Sequence, residues 1–402
     1  MSRKTLKALF HMGAKEYKDE YNNRYNADTT IHLNVTIVND SAFICQTPEV
    51  YKQIISIERI DKAVDAVANT LPQLAISQFT SKCLIDEILL TNNIEGVHST
   101  RKEIGEILQD LSTRDKRNRF VGLVAKYAAL EDKQTMTFKT CQDIRKVYDD
   151  IFYEEIKATD PDNLPDGELF RRSGVEVQSA TQKVMHKGLS PESRIIDTMN
   201  QSLNVLNNED IDIFIRISVF HYLFGYIHPF YDGNGRTSRF ISSYLLSKQL
   251  NPLIGFRLSY TIKENISKYY KAFDVCNDPH NKGELTPFVE MFLNILEISL
   301  QQLLETLEER KYKWEYYRQR IANLPNAEKT DISYLYELLI QAALFSNIGI
   351  SREELLNELK LSENTLRSRL RMIPDNLLIE NRQKGRKYYL LDLDEADILF
   401  DV

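Results

Sequence analysis

The chain has 402 residues, 43% of them hydrophobic and 27% charged, which is enough for two or three domains at roughly 150 residues each. A formal net charge of -7 argues against a surface devoted to nucleic acid or anionic membrane, and leaves room only for a local basic patch. The cysteines Cys45, Cys83, Cys141 and Cys276 are far apart and form no CxxC pair, so they suggest neither a zinc site nor a disulfide framework but reduced, buried thiols.

The polar opening, to about Thr29, is expected to be loosely ordered. Met1–Tyr17 lacks the apolar core of a signal peptide, and Leu335–Phe345, interrupted by Glu337 and Gln341, is too short to span a bilayer. A cytoplasmic protein without membrane contact is expected. Thr30–Val38 alternates with a period near two and pairs with Ala42–Cys45 as a small hairpin across Asn39-Asp40. Helical periodicity then marks Ile55–Val67 and Ile76–Leu89, the second stopping near Glu95-Gly96. Further helices are predicted at Glu103–Leu111, Asn118–Leu130 and Cys141–Glu155, before a loop at Ala158–Gly167. Val175–Gln178 and Gln182–Met185 read as a short two-stranded flap. Helices resume at Pro191–Asn207, Ile211–Tyr226, Arg236–Gln249, Glu264–Cys276 and Thr286–Leu307.

From Asp331 the rhythm changes. Ser351–Leu359 and Ser362–Met372 read as short helices, each opening on a capping serine, followed by strands at Leu377–Glu380 and Lys387–Leu391 around a turn at Gln383–Arg386. Helix, turn, helix and hairpin is the order of a winged helix. The fold class is therefore mainly α: a helical core with a β-hairpin flap, plus a C-terminal winged-helix domain. The expected division is 1–135, an N-terminal region; 136–310, a catalytic core; 311–330, a linker; and 331–402, the winged helix.

The most informative run is His228-Pro-Phe-Tyr-Asp-Gly-Asn-Gly-Arg-Thr-Ser-Arg239. Gly233 and Gly235 permit a tight loop that opens onto a helix, whose exposed amides form an anion site. Arg236 and Arg239, three apart, suit a di- or triphosphate. Asp232 is a hard oxygen ligand of the kind that Mg²⁺ uses when it bridges phosphates. His228 is the side-chain type that takes a proton from an attacking hydroxyl near neutral pH. Base, metal ligand, anion nest and arginine pair together describe phosphoryl-type transfer. A P-loop is excluded because no Gly-Lys-Ser/Thr opens the helix.

This run resembles the Fic motif, HxFx(D/E)GNGRxxR, at His228, Phe230, Asp232, Gly233, Asn234, Gly235, Arg236 and Arg239. The resemblance implies a mostly helical fold that transfers AMP from ATP to a hydroxyl of a target protein. It makes His228 the general base, Phe230 a buried anchor and Asp232 the ligand of Mg²⁺. Asn234 and the flanking glycine amides would cradle phosphates, with Thr237 and Ser238 in the same nucleotide-binding turn, and Arg236 and Arg239 would bind the β/γ end. Ser238 departs from the glycine often found there. Asn265, Tyr269 and Tyr270 resemble the family's adenosine-contacting segment, and the flap stands where the family aligns the target chain by strand addition. The resemblance covers roughly residues 75 to 305.

Thr91-Asn-Asn-Ile-Glu95-Gly96 resembles the family's inhibitory motif, (S/T)xxxE(G/N). A carboxylate set against Arg239 would neutralise the guanidinium that the γ-phosphate needs. The same glutamate, in some family members, positions a water that removes AMP. Three readings therefore compete: an adenylyltransferase restrained by Glu95, acting on a Ser, Thr or Tyr hydroxyl of another protein or of itself; a de-AMPylase or other nucleotide transferase on the same fold; and a transcriptional regulator whose Fic core senses nucleotide. For the last, Arg367, Arg369 and Arg371 on the second tail helix and Lys384 and Arg386 on the wing are the expected DNA contacts, opposed by the acidic end of the tail. The resemblance also suggests a homo-oligomer.

Overall fold

The computed structural model describes residues 3–13, 15–111, 119–130, 135–178 and 184–400. Asn118, at the start of a predicted helix, and Gln182 and Lys183, in the predicted flap, lie outside them. The chain forms two compact units, one from the residues up to Asp61 with Asp86–Leu300, the other from Lys62–Ile85 with the residues from Gln301 on.

The opening stretch is a correction: it contains two helices, α1 (Leu6–His11) and α2 (Tyr17–Tyr25). Tertiary contacts override its polar local pattern. Leu6 is fully buried, Phe10 stacks on His280 at 3.7 Å, and Arg24 pairs with buried Glu284 at 2.9 Å. The predicted hairpin follows as β1 (Thr30–Ile37) and β2 (Asp40–Cys45), antiparallel, with Leu33, Val35 and Ile37 alternating into the core. Next come α3 (Pro48–Ala68), α4 (Gln73–Ile94), α5 (Arg101–Gln109), α6 (Val121–Ala128) and α7 (Cys141–Thr159), the last opened by a Thr140/Asp143 capping box. The flap is a short antiparallel pair, β3 (Glu176–Gln178) and β4 (Val184–Lys187).

Then α8 (Glu192–Leu206), α9 (Ile213–Ile227) and α10 (Asn234–Gln249) build the centre of the first unit. In α9 nearly every residue from Phe214 to Ile227 is buried, as a helix that is apolar all round must be. Its start is fixed by Asp212, which accepts from the Phe214 amide at 2.8 Å. A short helix beyond those expected, α11 (Leu258–Glu264), ends at Asn265, and the predicted helix Glu264–Cys276 follows it as α12 (Ile266–Cys276). α13 (Thr286–Arg318) continues beyond the predicted end at Leu307, through the first part of the segment expected to be a linker.

In the second unit α14 (Thr330–Phe345) buries Leu335, Leu338, Leu339 and Phe345, and Arg310 lies over the rings of Phe79 and Phe345. After β5 (Ile350–Ser351) come α15 (Arg352–Leu359) and α16 (Glu363–Leu370), capped as predicted by Ser351 and Ser362. β6 (Leu378–Gln383) and β7 (Arg386–Leu391) form a hairpin, with β5 on the other edge of β7. The acidic tail becomes α17 (Leu393–Phe400). Among the described residues, no helix is long and apolar enough to cross a membrane.

Candidate functional site

The junction between α9 and α10 is a sharp, over-determined turn. His228 ends α9 in the left-handed region (φ 52, ψ 65), which a side chain with a Cβ rarely adopts. Phe230 is buried and stacks on Tyr148 with ring centroids 3.6 Å apart, so it is the anchor that the motif implies. Asn234 closes the loop, its Oδ1 accepting from the Phe230 amide (2.9 Å) and its Nδ2 donating to the Phe230 carbonyl (2.8 Å). Its amide is thus engaged in shaping the loop. Gly233, at φ 79, leads into α10, and Thr237 returns a hydroxyl bond to the Gly233 carbonyl at 2.8 Å. The first-turn amides of α10 have no intrahelical acceptor, and they carry the positive end of the helix dipole.

Burial pushes the His228 imidazole down to about 3, and the nearby Arg171 cation acts in the same direction. The ring is therefore neutral at pH 7, the form a general base requires. The Asp232 side chain is 50% exposed; Oδ1 accepts from the Gly233 amide at 2.5 Å, and Oδ2 lies 3.5 Å from Arg236. A half-exposed carboxylate beside an amide nest fits a Mg²⁺ that keeps water and phosphate oxygens as its other ligands.

The two motif arginines face different elements. Arg236 is 1% exposed, lies over the Phe152 ring at 4.4 Å and pairs with Glu155 of α7 at 3.0 Å. Arg239, equally buried, faces the end of α4. Its Nε donates to Thr91 Oγ1 (2.8 Å), and its Nη2 donates to the Thr91 carbonyl (3.1 Å) and to Glu95 Oε1 (2.7 Å). The Thr91 carbonyl is free for this because the chain leaves the α-helix here. The Glu95 and Gly96 amides bond to Asn92 and Asn93, and Gly96 turns left-handed at φ 73. A Cβ on Gly235 would lie 2.1 Å from Glu95 Oε1, so the carboxylate rests directly over the first turn of α10. An anion already sits at the helix N-terminus.

Of the expected adenosine-contacting residues, Tyr269 is buried and its hydroxyl bonds to His221 Nε2 at 2.7 Å, which makes it part of the packing between helices. Asn265 caps locally onto the Thr261 carbonyl at 3.1 Å, and Tyr270 is half-buried beside Tyr269. Ser238 meets the other nitrogen of His221 at 3.2 Å. Four residues carry no motif signal and yet frame the site: His221, Glu155, Arg171 and Glu87. Glu87, one turn before Thr91 on α4, is fully buried and is pushed up to about 7 by desolvation. It accepts from the Ser259 amide at 2.9 Å and from the Ser259 hydroxyl at 2.5 Å. Charge at such depth leaves no pattern in a sequence, because burial of Arg or Glu is the exception.

In the tail, Arg369 is held by Asp331, while Arg367 and Arg371 are exposed. Arg382 and Lys387 share Glu380, at 3.0 and 2.7 Å. Lys384 and Arg386 also have interaction partners.

A helix ending on a left-handed histidine, a stapled glycine loop and an amide-lined second helix define the structural class. Residues 139–246 match the model of the Fic/DOC family, so the chain contains a Fic domain. It is 29% identical over 260 residues to "Protein adenylyltransferase Fic" of Aedes aegypti, covering 61% of this chain and 47% of that protein. It is 26% identical over 232 residues to "Protein adenylyltransferase fic-1" of Caenorhabditis elegans, covering 55% and 40%. The chain spans about half the length of the curated relatives it matches. A Fic family protein from Desulfovibrio desulfuricans G20, solved by crystallography, shares the fold with a TM-score of 0.52 at 23% identity, covering 86% of this chain and 96% of that one.

Proposed function

We propose that this chain is a protein adenylyltransferase held in a restrained state by Glu95. The supporting observation is the Glu95 carboxylate, which lies over Gly235 and 2.7 Å from Arg239, where the terminal phosphate of ATP would otherwise find its cation and its amides. A carboxylate there competes with phosphate for the same donors. When Glu95 moves away, Arg239 is free for the γ-phosphate, and Arg236 stays locked on Glu155 to hold the loop.

In the reaction, neutral His228 takes the proton of a Ser, Thr or Tyr hydroxyl on a target protein or on the chain itself. The hydroxyl oxygen attacks the α-phosphorus, the bond to the bridging oxygen breaks, and pyrophosphate leaves. Mg²⁺, for which Asp232 is the fitting ligand, would supply charge neutralisation between the α- and β-phosphates when bound. Asn265 and Tyr270, next to the buried Tyr269, are the residues we assign to the adenosine side. The four free, buried thiols support a cytoplasmic setting. The regulator reading has weaker support, because Arg369 is already paired with Asp331, and Arg382 and Lys387 with Glu380.

Labelled ATP with Mg²⁺ tests the reading. Glu95→Gly is expected to raise self-labelling at least ~10-fold, the factor that about 1.4 kcal/mol of barrier represents. Adding His228→Ala is expected to remove on the order of 10²–10⁴ of that rate. Equal labelling in wild type and Glu95→Gly would overturn the restraint. Full labelling without His228 would overturn the base.

A further inference from the structure

Arg171, between α7 and β3, is completely buried. Its Nε donates to the His228 carbonyl at 2.9 Å, and its Nη2 to the carbonyls of Leu189 (2.8 Å) and Ile227 (3.5 Å). Nη1 donates to the Ser173 carbonyl. Among the described residues no carboxylate pairs with it, and burial pushes its pKa below the ordinary value. A buried guanidinium without a counter-anion is costly unless other groups replace its hydration. Here the replacement is a ring of carbonyls, two of them at the negative end of α9.

The surroundings are built around this contact. The Arg171 amide donates to the Pro229 carbonyl at 3.2 Å, and the Leu189 amide to the Ile227 carbonyl at 3.1 Å, so both neighbouring strands of chain are tied to the same turn. Gly188 leaves the room: a Cβ there would lie 2.4 Å from Arg171 Nη2 and 3.1 Å from the His228 Cβ. We propose that Arg171 is a positioning residue for His228, its guanidinium clamping the last carbonyls of α9 and so holding the left-handed turn from which the imidazole projects. Its charge has a second consequence at the same place. The Arg171 cation disfavours protonation of His228, as does His186 from β4 when it is itself protonated, which burial opposes, against the opposing charge of Asp232.

The proposal rests on the adenylyl-transfer reading for what His228 does, and on geometry alone for how His228 is held. In the Glu95→Gly chain, Arg171→Met is expected to lower kcat about 100-fold, the order of effect of a misplaced reacting group, while the KM for ATP stays within about 3-fold. Arg171→Lys, which keeps a cation but loses the fork, is expected to recover roughly 10-fold of that loss. Unchanged kcat, or kcat and KM failing together, overturns the proposal. If Arg171→Met does not fold, Arg171→Lys decides: a several-fold loss of kcat at constant KM supports the clamp, and wild-type kcat overturns it. A second readout is independent of activity. Nitrogen-15 spectra of the histidine rings in the otherwise wild-type chain are expected to show His228 protonating at a pH higher by about one unit in the Arg171 variant. If the Glu95→Gly chain transfers no nucleotide, the adenylyl-transfer reading falls, and the spectra decide for the clamp by the position of the His228 ring signals: ring signals unmoved in Arg171→Met then sink it.

Discussion

At the α9–α10 junction, Arg236 and Arg239 are each 1% exposed, and each faces a carboxylate from elsewhere in the chain, Glu155 or Glu95. In the segment from α15 to β7, Arg367 and Arg371 are exposed, and the cations that do pair, such as Arg382 and Lys387, share a surface glutamate. The same residue types carry different energetics in the two regions. At the junction the arginine of each pair is buried while Glu95 itself is 32% exposed, so losing the carboxylate leaves a desolvated guanidinium uncompensated, which costs more than the up to about 1 kcal/mol that an exposed pair contributes. Only the first arrangement can work as a switch, because only there does a competing anion gain much by replacing the first one.

Glu87 gives the largest way to test that buried side. Its folded pKa of about 7 stands above the ordinary carboxyl value of 4.5, so the folded protein holds a proton that the unfolded chain has lost between those pH values. The stabilising contribution is complete below about pH 4.5 and fades as pH rises through 7. Glu87→Gln cannot ionise, so it is expected to gain on wild type by about 2–3 kcal/mol in denaturant unfolding between pH 5 and pH 9. A constant difference between the two chains across that range would mean that the Glu87 carboxyl stays in contact with water.

Thr91 tests the clamp at smaller amplitude. Thr91→Val keeps the shape and removes the hydroxyl that accepts from Arg239 Nε, leaving the Thr91 carbonyl and Glu95 in place. Loss of one hydrogen bond of about 1 kcal/mol is expected to raise self-labelling about 5-fold, below the Glu95→Gly level. Labelling equal to wild type would assign the whole restraint to the carboxylate.

The legible part of the molecule is the part whose residue types are themselves unusual. His228 to Arg239 can be read because glycines, an acid and arginines at that spacing suit an anion-binding turn and little else. Thr91 to Gly96 can be read because that motif has a partner to meet. α9 is legible from the length of its apolar run, too long for a strand, since a helix buried all round carries little amphipathic periodicity. Arg171, Glu87 and Glu155 stay silent, since what makes each matter is a long-range contact that turns an ordinary surface residue type into a buried one. The order of α1 and α2 is hidden on similar grounds. Their few anchoring side chains, Leu6 and Arg24 among them, sit in a locally polar stretch. Even within the motif, spacing alone suggests one shared role for Arg236 and Arg239. The structure separates them, because Glu155 reaches one and the end of α4 reaches the other.

The smallest effect is expected in the tail. Phosphate-led DNA binding scales with the number of free cations, and its affinity falls steeply with salt. In the tail Arg369 faces Asp331, Glu380 takes both Arg382 and Lys387, and Lys384 and Arg386 also have interaction partners. Filter binding of the full chain to duplex DNA in about 150 mM salt is therefore expected to show no retention that Arg367→Ala/Arg371→Ala alters. Salt-sensitive retention lost in that double variant would reverse the comparison. It would show that two exposed arginines suffice to build an interface, and that the tail's charges, like those of the junction, are placed for a ligand.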